Sequence, residues 1–166
     1  MDSIRSRRSI RKYTAQPVPQ DLVNRLLEAA MAAPSAGNEQ PWEFISITDR
    51  DVLQAITKVH PYSQMLKEAP LAIVVCGNLE REKYPGFWVE DCSAATENIL
   101  LEAEDCGLGG VWLGVYPHDD RVKGISEILG LPANVIPLSL VAIGYPAEKK
   151  PPADRFDTSR IHINRW

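Results

Sequence analysis

The apolar run LAIVVC at residues 71–76 limits what this chain can fold into more than any other stretch. It is too short and too rich in β-branched side chains to be a buried helix, so it reads as a buried strand. A buried strand needs a sheet around it, and three further segments supply one: WEFISI at 42–47, the glycine-rich GLGGVWLGV at 107–115 and IPLSLVAIG at 136–144. Between these segments the apolar residues recur at helical spacing. Leu22, Val23, Leu26, Leu27 and Ala30 form one stripe that begins near Pro19 or Gln20 and ends before Pro34. DRDVLQAITKV, opening at an Asp cap, predicts a short helix, and DDRVKGISEIL a capped one. A long helix runs from about Trp88 to Asp105, carries Ala94, Ala95, Ile99, Leu100 and Ala103, and ends at Cys106 and Gly107. At the N-terminus, residues 2–11 predict a short helix with Ile4 and Ile10 as its apolar points. Strands interleaved with helices give an α/β or α+β architecture with a central sheet flanked by helices.

At 166 residues the expectation is a single domain over 1–166 with a core of its own. The formal charge of -4 argues against a broad nucleic-acid surface. Cys76, Cys92 and Cys106 form neither a CxxC pair nor a metal ladder, and no apolar run approaches membrane-spanning length. The expectation is a cytoplasmic protein in a reducing compartment, without a membrane partner. From Tyr145 to Trp166 the chain is rich in proline and charge, yet closes on Ile161, Ile163 and Trp166. An ordered tail of this kind must pack on something, either a second copy of the chain or its own sheet.

No familiar catalytic set can be assembled: GxSxG, HExxH, a P-loop lysine and a GxGxxG after a strand are all missing from the sequence. His60, His118 and His162 are scattered, with no cysteine or carboxylate at ligand spacing, so no metal site is expected. What stands out is RSRRSIRKY at 5–13, an isolated cationic cluster in an acidic chain. Arg7, Arg8 and Arg11, with the Ser9 hydroxyl between them, can surround a phosphate with charge-assisted hydrogen bonds. The loop at 34–41 adds Ser35, Asn38 and Gln40 close to Trp42. Together the two segments suit a heteroaromatic ligand that carries a phosphate.

RRSIRKY, APSAGNEQPWEF, CGLGGVWLG, AIGYPAEKKPP and the closing RIHINRW together resemble the flavin-dependent nitroreductase family, in its short-chain branch. The resemblance runs from about residue 3 to 166. It implies the α+β nitroreductase fold, with a mixed or antiparallel central sheet, and a homodimer that exchanges its C-terminal arms and holds two FMN at the interface. It also implies that Arg7, Arg8, Ser9 and Arg11 hold the ribityl phosphate and the O2 side of the flavin. Pro34, Ser35, Ala36 and Asn38 would come from the other subunit, against the ring system. A backbone N–H at Gly114, or at its neighbours Leu113 and Val115, would face flavin N5. Arg160, in preference to Arg155, would join the phosphate. Where longer members carry a carboxylate beside that contact, this chain has Gly114. The segment between 60 and 90 is short, leaving Tyr62 and Gln64 as candidates for the pocket wall.

The activity so implied is a ping-pong oxidoreductase. NADH or NADPH reduces the flavin, and a nitroaromatic, quinone or similar acceptor reoxidises it, with no catalytic acid or base required. A flavin store or sensor with little turnover is the alternative. A DNA- or RNA-binding module built on the basic N-terminus has too few cations to support it, with 18 Lys and Arg against 22 Asp and Glu.

Overall fold

The computed structural model describes residues 3–166. Four strands, β1 Trp42–Ile47, β2 Leu71–Asn78, β3 Gly109–Gly114 and β4 Val135–Gly144, form a sheet in the order β1-β2-β4-β3, every adjacent pair antiparallel. An isolated bridge between Ser9 and Gly110 runs parallel and makes the outer edge of β3 locally mixed. Among the described residues five α-helices accompany the sheet: α1 Ser3–Ser6, α2 Gln20–Met31, α3 Arg50–Val59, α4 Trp88–Asp105 and α5 Asp119–Leu129.

β2 shows why its six apolar residues are needed. Successive side chains of a strand point to opposite faces, and Leu71, Ile73 and Val75 join the core under α2 and α4, with Leu26, Ala95 and Ile99. Ala72, Val74 and Cys76 join the core on the other face, with Leu53 and Ile56 of α3 and Ile125 of α5. The strand is therefore covered on both sides, which an alternating polar pattern could not tolerate. The helix ends follow local chemistry. The Asp49 carboxylate caps α3 by accepting from Asp51 N and Val52 N, and Gly130 closes α5 in the left-handed region at φ +65°.

The N-terminal helix is shorter than the sequence pattern predicts. Asp2, where the expected helix opened, lies outside the described residues, and helical backbone stops at Ser6. Two contacts end it, one local and one tertiary. The Arg8 guanidinium donates to the carbonyls of Arg5 (2.7 Å), Ser6 (3.2 Å) and Arg7 (2.7 Å), occupying acceptors that a continuing helix would need. Ile10 is buried on Gly109, where an added Cβ would lie 2.7 Å from it, and Ile10 N donates to Gly110 O at 3.0 Å. Ser9 and Ile10 thus sit on β3, while Tyr13 bridges Pro146 and Thr14 N donates to Tyr145 O (2.9 Å), just past the end of β4.

The tail does not return to its own sheet. Residues 151–166 are exposed throughout, and Phe156, Ile163 and Trp166 show 79%, 82% and 101% of their surface. Its base is tied down by Arg8 Nε donating to Pro151 O (2.9 Å), and just before it Ala147 N donates to Lys12 O (2.9 Å). Among the described residues no helix is long and apolar enough to cross a membrane.

Candidate functional site

β3 is the edge strand of the sheet, and its outer side is where the chain's unusual residues meet. Val115 N donates to Leu138 O at 3.1 Å, which makes that pair a hydrogen-bonded rung of the antiparallel ladder. Rungs alternate, so Gly114, opposite Ser139, directs both its N–H and its C=O away from β4. Gly110 has the same phase, and its carbonyl duly accepts Ile10 N on the outer side.

A cavity of about 450 Å³ lies along this edge, lined by Leu113, Gly114 and Trp112 of β3, by Arg11, and by Arg121 of α5. His60, Tyr62, Gln64 and Met65 complete it. Tyr62 and Gln64 are the wall residues that the sequence nominates. A Cβ added at Gly114 would meet nothing within 4 Å, so the chain's own packing leaves the space beside this glycine open.

The Gly114 carbonyl is engaged from two directions. Arg121 Nη1 donates to it at 2.9 Å, and His60 Nε2 lies 2.9 Å from it. His60 Nδ1 accepts from Tyr62 N at 3.3 Å, which places the imidazole proton on Nε2 and makes it the donor to Gly114. Burial holds the His60 pKa below its ordinary value, with the nearby Arg121 charge acting the same way, so the ring is neutral at neutral pH. The Arg121 guanidinium sits 5.5 Å from the Tyr62 ring centroid, and its Nε is buried without a hydrogen-bond partner.

Of the residues that the sequence nominates, Arg11, Leu113 and Gly114 come together here. Val115, a neighbour of the nominated contact, is buried. Arg7 is half-buried, with its Nε 3.4 Å from Glu97 Oε1 but lacking a hydrogen-bond acceptor. Ser9 bridges Gly110 through its backbone. Arg8 is engaged by carbonyls and helps to line a second hollow with Arg5, Arg155 and Phe156. Arg160 lies in the exposed arm, paired with Asp157 at 3.0 Å.

Pro34, Ser35, Ala36 and Asn38 do not line the β3 cavity of their own chain. Their loop is nevertheless tightly specified. Ser35 Oγ accepts Gln40 N (3.0 Å), and Gln40 Nε2 donates to Asn38 Oδ1 (2.9 Å). Gly37 takes φ +51° with the Tyr84 ring against it, leaving no room for a side chain. Beneath the loop, Asp91 Oδ1 accepts Ala36 N (2.9 Å), while Glu39 Oε2 accepts Lys83 N (2.6 Å) and Tyr84 N (3.0 Å). Asp91 and Glu39 are 4% and 7% exposed, and each keeps one buried oxygen, Oδ2 and Oε1, with no donor. Burial raises the Asp91 pKa above its ordinary value, and the adjoining Glu39 acts the same way, so the fold favours the protonated Asp91 carboxyl.

Met65, Trp112, His60 and Arg121 line the cavity without being nominated by the sequence, and for His60 and Arg121 the reason is specific. Their common acceptor is a backbone carbonyl 54 and 7 residues away, and no side-chain pattern marks such an acceptor.

The chain matches the Nitroreductase family profile over residues 4–60 and 57–145. A protein of Methanothermobacter thermautotrophicus, provisionally named an NADH dehydrogenase/NAD(P)H nitroreductase, is 51% identical over 166 residues, covering 100% of this chain and 87% of that one. A crystal structure from Parabacteroides distasonis with the same provisional name superposes with a TM-score of 0.96 at 42% identity, over 99% of this chain and 97% of that one. An FMN-dependent nitroreductase from Clostridium difficile superposes with a TM-score of 0.92 at 32% identity, over 99% and 98% of the two chains.

Proposed function

Since this chain belongs to the nitroreductase family, we propose that it is an FMN-dependent oxidoreductase. It takes hydride from NADH or NADPH and reduces a nitroaromatic, quinone or similar acceptor, working as a homodimer of single-domain chains. The observation that carries this reading is the Gly114 N–H, directed off a free sheet edge beside open space and in the same cavity as Arg11.

The residues present fit FMN. The cavity has aromatic and apolar walls at Tyr62, Trp112 and Met65, two guanidinium groups, and no carboxylate in its lining. Arg7 Nε is a buried donor awaiting an acceptor, and the Ser9 hydroxyl makes no hydrogen bond among the described residues, so both are available to a phosphate. Bound FMN would supply the hydride-accepting and electron-donating chemistry. Arg11 would add positive charge where a ligand gains electrons, and Gly114 offers a backbone donor. Donor and acceptor would occupy the open side of the cavity in turn, which is a ping-pong order.

Loop 34–38 of a second copy, with Pro34, Ser35, Ala36 and Asn38, would complete the site, and the partner's arm would bring Arg160 toward the phosphate. The exposed apolar residues of the arm and the absence of this loop from its own chain's cavity support that arrangement. The test is a titration of flavin-free protein with FMN, followed by stopped-flow reduction with each nicotinamide. Stoichiometric binding, with reduction faster than that of free FMN, is expected. Failure to bind, or reduction no faster than in free solution, overturns the proposal.

A further inference from the structure

An edge strand exposes donors and acceptors alike. At Gly114 the N–H and the C=O both leave the sheet on the cavity side, and they have opposite effects on whatever sits there. A ligand that gains negative charge is attracted to the N–H and repelled by the oxygen. Here the oxygen is covered twice, by Arg121 Nη1 and by His60 Nε2, each at 2.9 Å. The two donors come from separate elements, Arg121 from the first turn of α5 and His60 from the end of α3. The Tyr62 segment joins them, since its N–H bonds His60 Nδ1 and its ring lies under the Arg121 guanidinium. Among the described residues Arg121 makes no ion pair, even with Asp119 and Asp120 in the same turn of α5.

We propose that Arg121 and His60 are positioning residues that cap the Gly114 carbonyl. They leave the Gly114 N–H as the polar group which this sheet edge presents to the ligand, and Arg121 adds a positive charge that no ion pair engages. The proposal rests on the cavity being the flavin site. Its consequence is electrostatic: the cap favours the electron-rich, reduced form of the bound ligand over the oxidised form. A merely structural bond would affect folding without that preference.

The experiment measures the affinity of the protein for oxidised FMN and the midpoint potential of the bound flavin, for wild type, Arg121→Met, Arg121→Lys and His60→Leu, with thermal melts of the flavin-free proteins alongside. Arg121→Met should lower the preference for reduced over oxidised FMN at least tenfold, a fall of about 30 mV for a two-electron couple. Arg121→Lys, which keeps the charge, should recover most of it. His60→Leu removes a donor without removing a charge and should shift the potential the same way by less. If His60→Leu does not fold, the two Arg121 variants decide the matter. Wild-type protein that binds no FMN overturns the cofactor reading and this inference with it. Wild type that binds FMN, with Arg121→Met at the wild-type potential, overturns this inference alone.

Discussion

The rim of the β3 cavity and the arm beyond residue 151 answer the same physical demand in opposite ways. Around Gly114 the outward carbonyl finds two donors within its own chain, and the neighbouring strand residues are buried on both faces of the sheet. Along the arm, Phe156, Ile161, Ile163 and Trp166 are exposed, and the Thr158–Arg160 turn is held by nothing beyond Asp157 and its neighbours. One region is finished by one chain and the other is not. An apolar extension that its own fold leaves uncovered does not recover the entropy of being ordered. The contrast therefore supports a second copy as what the arm covers.

Removing the arm breaks the comparison most severely. Deletion of residues 151–166 should convert a dimer to monomer and weaken FMN retention by more than tenfold, while α1 to α5 and the sheet keep their far-ultraviolet signature. Chromatography with light scattering and an FMN titration check the two halves. A shortened chain that stays dimeric and holds its flavin places the contacts elsewhere.

Gly114→Val acts on the finished region. Because a Cβ there meets nothing in the chain, the flavin-free variant should melt close to wild type. The added side chain would instead occupy the open space beside the N–H, and FMN affinity should fall about tenfold or more, or at least about 1.4 kcal/mol. A large loss of thermal stability with unchanged FMN affinity would reverse that assignment.

The loop that neither region contains is set by its buried carboxyl pair. Asp91→Ala leaves Ala36 N without its acceptor and should cost about 1–3 kcal/mol in chemical denaturation. Asp91→Asn keeps the acceptor for Ala36 N and offers Glu39 a donor, so its stability at neutral pH should equal or exceed wild type. The sign of the pH dependence follows from the raised Asp91 pKa. The fold favours the protonated carboxyl, so this contribution is fully present below the ordinary aspartate value of about 3.9 and is lost as pH rises through the higher folded-state value. Asp91→Asn should flatten that decline, and identical pH profiles for the two proteins would rule out a protonated Asp91 in the folded state.

Arg160→Gln is the mildest change. Its pairing with Asp157 is exposed, so the melting temperature should not move, whereas FMN affinity should weaken severalfold through the loss of a phosphate partner. Unchanged affinity would remove Arg160 from the site and leave the rest of the comparison standing.

Much of the fold was legible because burial writes itself into composition. LAIVVC needs two covered faces, and the alternation of its side chains between two cores shows why every position is apolar. DDRVKGISEIL marks α5 through its acidic first turn and the glycine after it. Arg11, Leu113 and Gly114 could be picked out because motif and glycine content flag them. The end of α1 could not, since the seating of Ile10 on Gly109 depends on where β3 lies. His60, Arg121 and the Glu39–Asp91 pair were hidden for a related reason: their partners are backbone groups, or a second carboxyl brought near by folding, and such partners leave no spacing to read.

In the proposed dimer one chain supplies the Gly114 edge of a flavin site and a second chain completes it. Light scattering on the chromatographic peak of full-length protein loaded with FMN, read together with its flavin absorbance, tests this most directly. The account predicts a particle of twice the 18.5 kDa chain mass carrying about one FMN per chain. A monomer of 18.5 kDa that keeps tightly bound flavin through the column would contradict it.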